Sequence, residues 1–199
     1  MGENLDEEIR QIVQRVLKQS LGLSQPENTP RVTSTQPEPP PKSETKPVDR
    51  KVVAIGADHG GFEMKQMLKA DLTALGYNFI DAGTNSKEAV DYPDFAHQVA
   101  KLVSTGKAWR GIIIDGAGIG SCIVANKVPG VRAGMAYDYS SAVNGREHND
   151  CNVLTLGAGL IGANLARQIV TVWLSTPFGG GRHERRVNKI TAVEKQYLK

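Results

Sequence analysis

The chain has 199 residues, 40% hydrophobic and 23% charged, which is enough for one buried core and a tail. A net charge of +3 is too small to argue for nucleic acid, and neither a membrane-length apolar run nor a signal-peptide core is seen. Two cysteines, Cys122 and Cys151, make no disulfide framework, so the cytoplasm is the default compartment.

Residues 5–22 read as one amphipathic helix. Leu5, Ile9, Ile12, Val13, Val16 and Leu17 recur at spacings of three and four, with charged residues between them. Asp6, Glu7 and Glu8 suit the first turn, Lys18 the last, and Gly22 a stop. Residues 24–50 hold seven of the ten prolines, with Ser, Thr, Glu and Lys, and read as a disordered or extended linker. Three units follow: a partner helix at 1–23, a linker at 24–50 and a folded domain at 51–199.

Within the domain, strands are expected at Val52–Gly56, Tyr77–Asp81, Gly111–Ile114, Val131–Tyr137 and Val153–Leu156. Helices are expected at Phe62–Leu75, Asp94–Ser104, Ser121–Lys127, Tyr139–Glu147, Gly162–Leu174 and Arg182–Lys199. This alternation predicts a doubly wound, Rossmann-like α/β fold: five parallel strands with helices on both faces. Ligands in such sheets bind at the carboxyl ends of the strands. The last helix carries six basic residues and two acidic ones, which suits a small anionic substrate better than a polyanion.

The most telling stretch is Asp115-Gly-Ala-Gly-Ile-Gly120, directly after the apolar run Gly111–Ile114. Gly116, Gly118 and Gly120 allow a tight turn and leave amide N–H groups bare for a phosphate or an oxyanion. Asp115 sits at the mouth of that turn. A base beside an oxyanion cradle is what proton abstraction next to a carbonyl requires. Asp115 also has a plainer reading, as a cap for the following helix. No His/Cys/Asp spacing suggests a metal site.

Five motifs occur in one order: Gly56-Ala-Asp-His-Gly-Gly-Phe62, Asp91-Tyr-Pro93, the glycine loop ending in Ala125-Asn-Lys127, His148-Asn-Asp-Cys-Asn152, and Gly180-Gly-Arg-His183 with Arg186. The ordered set resembles the type B ribose-5-phosphate isomerases and the related galactose-6-phosphate isomerase subunits, over roughly residues 51–197. The resemblance implies a cofactor-free aldose–ketose isomerase working through an enediolate. It implies a homodimer, or a dimer of such dimers, whose sites draw on both subunits. By position, His148 would assist ring opening, Asp58 and His59 would contact the sugar phosphate, and Tyr92 would lie near the ligand. Asn149 would bind a substrate hydroxyl. The amides of Gly116, Gly118 and Gly120 would stabilise the enediolate. Arg182 and Arg186 would hold phosphate in a site shared with the partner chain, a task suited to the planar guanidinium fork.

The sequence departs from the commoner pattern at three positions. Asp115 stands where many members have a catalytic Cys, Ala117 where they have Thr or Ser, and Gly159 where an Arg often joins the phosphate site. Some relatives place a Glu where Ser121 stands here. Asp115 is the expected base and Cys122 the runner-up, with Cys122 more naturally a small residue facing the sheet. The alternative reading is a weakly active homologue that binds a sugar phosphate or serves in an assembly. The tail helix could bind a partner, mediate dimerisation or be a cloning remnant. It resembles the encapsulation peptides of bacterial microcompartment enzymes, which implies a shell or cargo partner and a place in the compartment lumen.

Overall fold

The computed structural model describes residues 51–198; the expected tail helix and linker lie outside them. The strands are β1 (Val52–Ala57), β2 (Asn78–Asp81), β3 (Arg110–Asp115), β4 (Ala133–Met135) and β5 (Val153–Gly157). The helices are α1 (Phe62–Ala74), α2 (Tyr92–Ser104), α3 (Ile119–Ala125), α4 (Tyr139–Glu147), α5 (Ala163–Ser175) and α6 (Arg182–Tyr197). The strands form one parallel sheet in the order β2-β1-β3-β5-β4. The chain runs from β1 to β2 on one side and returns past β1 to β3 on the other. The loops after β1 and β3 therefore part at a crevice, the usual ligand position in such sheets.

Alternating side chains feed two cores. Val53, Ile55, Ile112, Ile114, Leu154 and Leu156 pack beneath Leu68 and Leu72 of α1 and Ile169, Val170 and Trp173 of α5. Ala54, Ile113 and Val153 point the other way, against Ala96, Val99 and Ala100 of α2 and Ala125 of α3. All six residues of β3 are buried, as expected of a central strand covered on both faces.

Several elements begin or end where side chains take over the backbone's hydrogen bonds. β4 is shorter than the apolar run 131–137. Its expected first residues are diverted: Val131 N–H bonds Val128 O in a turn, and Arg132 is held by Asn152 Oδ1 and Asp150. At its far end, Tyr137 N–H donates to Ser141 Oγ within the capping box that opens α4. α3 stops at Ala125 because the Asn126 side chain turns to pair with Ala133, accepting from its N–H at 2.9 Å and donating to its carbonyl at 3.0 Å. α2 starts at Tyr92 rather than Asp94, since Pro93 is well suited to a first helical turn.

One lysine of α1, Lys65, has no exposed surface. Its Nζ is 2.5 Å from Asp81 at the end of β2, and Lys69 holds the other oxygen at 2.6 Å. α6 follows Gly180 and Gly181, whose φ angles of 59° and 53° favour glycine. Only His183 and Val187 of α6 are buried, while Ile190, Val193 and Tyr197 are exposed. Those three, with Val131, Ala133 and Met135 beside the edge strand, line a groove of about 930 Å³.

Candidate active site

The turn after β1 is stitched to β3. Asp58 N–H donates to Ile114 O at 3.2 Å, and the buried Asp58 carboxylate accepts from Gly61 N–H at 3.1 Å. His59 is exposed, with Nδ1 3.2 Å from both the N and O of Val90. Tyr92, at the head of α2, lays its ring on the glycine loop; a methyl group added at Gly120 would lie 2.4 Å from the ring. Asp58, Tyr92 and the loop 115–121 thus gather at the crevice, and His59 sits at its rim.

Asp115 lies inside its own loop and is 5% exposed. Its Oδ1 accepts from Ala117 N–H at 2.8 Å and from Gly118 N–H. Its Oδ2 accepts from Ser121 N–H at 3.2 Å and from Ser121 Oγ at 2.5 Å. Four donors occupy the carboxylate's acceptor positions. Asp115 can therefore take a proton only by releasing one of them, and the rotatable Ser121 hydroxyl is the simplest to release. Gly118 makes this wrap possible with φ at 79°, a left-handed cap to α3.

The same wrap divides the loop's amides. Those of Ala117, Gly118 and Ser121 turn inward to Asp115, so Gly118 N–H is already engaged rather than open to a ligand. Among the described residues, the N–H groups of Gly116, Ile119 and Gly120 have no hydrogen-bond acceptor. Gly116 and Ile119 are exposed as well. These are the donors available to an anion.

Cys122 points at the sheet, with Sγ 3.5 Å from Ala133 O. Burial pushes its thiol up, against smaller opposing effects of Thr155, Met135 and Asn126. A thiol held protonated is a poor base. Cys151 is buried and pushed up to about 11 by that burial.

A second cluster forms where α4 ends and α6 begins. His148 caps α4 and stacks on His183, with ring centroids 4.1 Å apart and planes 4° from parallel. Asn144 Nδ2 is 2.9 Å from His148 Nδ1, and Asn149 bonds Asn144 in turn. Arg182 Nε donates to His183 Nε2 at 3.3 Å, and Gly179 N–H fastens the segment before α6 to Glu147 O at 2.9 Å. Arg182 and Arg186 are exposed, and neither makes an ion pair with a described residue. His183 is held below the ordinary imidazole value by burial first, then by His148, Arg182 and Arg186.

The expected residues thus fall into two groups: Asp58, His59, Tyr92 and the Asp115 loop in one, and His148, Asn149, Arg182 and Arg186 in the other. Among the described residues, no hydrogen bond, ion pair or ring stack joins them within one chain. Nor do any three His, Cys, Asp or Glu side chains among them converge as a metal site. The sequence reading missed Ser121 as the partner of Asp115 and Asn144 as the partner of His148. The second had a signal, because Asn144 and His148 are four apart on a helix.

A parallel sheet with open amides at its strand-end crevice is the frame of an α/β protein with room there for a small anionic ligand. The family model described as Ribose/Galactose Isomerase matches residues 53–190. The chain is 45% identical to ribose-5-phosphate isomerase B of Escherichia coli, over 73% of this chain and 98% of that one. It is 40% identical to a D-erythrulose-4-phosphate isomerase of Pectobacterium atrosepticum, over 72% and 95%. Its structure is similar to that of Clostridium thermocellum ribose-5-phosphate isomerase B, with a TM-score of 0.72 and 48% identity over 73% and 99%. The chain belongs to the ribose/galactose isomerase family and is a sugar-phosphate isomerase.

Proposed function

We propose that the chain interconverts a phosphorylated aldopentose and its ketose, ribose 5-phosphate and ribulose 5-phosphate or a close relative, through an enediolate. The observation that carries this reading is the loop 115–121, where a carboxylate and three open amide donors occupy one turn. His148 assists ring opening. A base takes the proton from C2, the amides of Gly116, Ile119 and Gly120 hold the enediolate oxygen, and the proton returns at C1. Asp58, His59, Tyr92 and Asn149 contact the sugar, while Arg182 and Arg186 hold the phosphate. Because the two groups of residues are unconnected within a chain, the complete site is assigned to a homodimer in which α6 serves the neighbour.

Asp115 is the proposed base, acting through Oδ2 after the Ser121 hydroxyl swings away. A hydrogen bond to a charged group contributes ~1.5–3 kcal/mol, so this release slows turnover by roughly 10–100-fold relative to a free carboxylate. Asp115→Asn should lower kcat by ~10²–10⁴-fold with substrate still bound. Ser121→Ala removes that hydrogen bond and should raise kcat, by up to roughly the same factor. Near-normal turnover in Asp115→Asn would remove Asp115 from the role.

The direct test is ketose formation over a panel of tetrose, pentose and hexose phosphates and the free aldoses. The full chain and one beginning at Lys51 should be assayed together. Binding without turnover of any of them would favour the second reading, a sugar-phosphate-binding component, for which Ala117, Gly159 and the fully engaged Asp115 speak. Residues 5–22 are read as a recruitment helix for a microcompartment shell or cargo protein, on the strength of the apolar stripe and the proline-rich stretch after it. Val13→Glu should detach the protein from that partner and leave isomerase activity intact. Equal recovery of wild type and variant with shell proteins would end that idea.

A further inference from the structure

His148 carries two ring nitrogens, and in the neutral ring only one holds the proton. Which one is settled by a chain of three hydrogen bonds. The Asn149 Nδ2 group lies 3.2 Å from the backbone oxygen of Asn144 and 3.2 Å from its Oδ1. The backbone oxygen accepts only a donor, so the Asn149 amide must present its NH2 there. That NH2 in turn requires an oxygen from the Asn144 side chain. The Asn144 amide is thereby fixed with its own NH2 toward His148, at 2.9 Å from Nδ1. Nδ1 becomes the acceptor, and the proton sits on Nε2. The surroundings of Nε2 agree, since the Glu147 carboxylate lies 3.8 Å from it.

The stacked partner carries the opposite pattern. Arg182 Nε can only donate, and it meets His183 Nε2 at 3.3 Å. His183 therefore holds its proton on Nδ1. It stays neutral against the His148 ring, in keeping with its lowered affinity for a second proton.

We propose that Asn144 is a positioning residue. Locked by Asn149, it holds His148 in the Nε2–H form, so that His148 meets the sugar as a neutral hydrogen-bond donor through Nε2, polarising the oxygen it touches without giving up its proton. The functional half rests on the isomerase reading above, in which His148 assists ring opening. It narrows that role to hydrogen-bond donation at a stated atom.

The test uses the full chain labelled with ¹⁵N in histidine, with the His148 ring assigned by its loss in His148→Gln. Wild type should show a protonated Nε2 and an unprotonated Nδ1. Asn144 is exposed, so its replacement leaves the core untouched. Asn144→Asp offers only acceptors and should invert the ring to Nδ1–H; Asn144→Leu should give a mixture. With the aldose phosphate that wild type turns over, both variants should lose kcat by about 10–100-fold, the usual scale for a residue that orients a functional histidine, with KM within about twofold. A wild-type ring protonated on Nδ1, or one tautomer in all three proteins, would overturn the lock. An inverted ring with unchanged kcat would overturn donation through Nε2. The expected ring states in a protein that turns over no aldose phosphate would uphold the lock and instead count against the isomerase reading.

Discussion

At the scale of single residues, the site is organised by which groups are spent and which are free. Asp115 binds half of its loop's amides to itself and leaves Gly116, Ile119 and Gly120 facing outward. Gly159 marks another such difference. Its N–H bonds Gly116 O, and a methyl group placed on it would lie 3.0 Å from that oxygen. A side chain there needs only a few tenths of an ångström of adjustment. Gly159→Arg should therefore fold and add a third cation near the phosphate. At ~1.5–3 kcal/mol for a charge-assisted bond, KM for a phosphorylated substrate should fall roughly tenfold or more, with no change for the free aldose. Steady-state kinetics on both substrates checks this. Arg186→Ala should move KM the opposite way with kcat nearly unchanged, because phosphate binding acts alike in ground and transition states.

At the scale of elements, the Lys65–Asp81–Lys69 group ties α1 to the end of β2. Burial alone would raise the Asp81 carboxyl. The two ammonium groups and the Gly83 N–H outweigh it and leave the carboxyl below its usual value. A carboxylate depressed in the folded state contributes stability above its unfolded value, near 3.8, and loses it as pH falls through the folded value. Asp81→Asn should strand the Lys65 ammonium, which has no exposed surface. Removing one partner of a buried pair costs about 3–5 kcal/mol. Chemical denaturation at neutral pH should show most of that loss, and the gap between variant and wild type should narrow below about pH 4. No narrowing would mean that the charge of Asp81 is not what stabilises it.

The strand–helix alternation was legible because each apolar run is short and bounded by Gly, Asp or Pro. The helix from Tyr92 and the short β4 were read two or more residues out, because Pro93, Asn126 and Asp138 decide those ends through contacts distant in sequence or through capping. The insertion of β5 between β3 and β4 has no local signature. Asp58, His59, Asp115 and the glycine loop were legible as a group because all follow predicted strands, whereas Tyr92 was legible only through the family resemblance. The engagement of Asp115 was not, since a carboxylate that caps and one that abstracts a proton share one sequence pattern. Lys65 read as one more surface lysine on α1; only the fold brings Asp81 to it.

At the scale of the whole molecule, the two unlinked groups of site residues allow the proposed homodimer to be tested by complementation. Mixing Asp115→Asn with the double variant Arg182→Ala/Arg186→Ala, then exchanging subunits, should create one intact site per mixed dimer. Random pairing would return about a quarter of wild-type sites with wild-type KM at low substrate. A signal no greater than the average of the parents would place the whole site in one chain.

α6 has sixteen residues and hides only His183 and Val187 against its own chain. A helix of that length with so little packing is marginal in water. In the proposed dimer, its amide protons would report on the neighbour. In concentrated protein, Ile190, Val193 and Tyr197 should be covered by a second copy, and exchange with deuterium should be slow. On dilution the segment from Gly179 onward should exchange first, and nick first under protease, while β1, β3 and β5 remain protected. Loss of protection and loss of specific activity should then follow the same dilution curve, so that the C-terminal helix becomes a built-in gauge of subunit association.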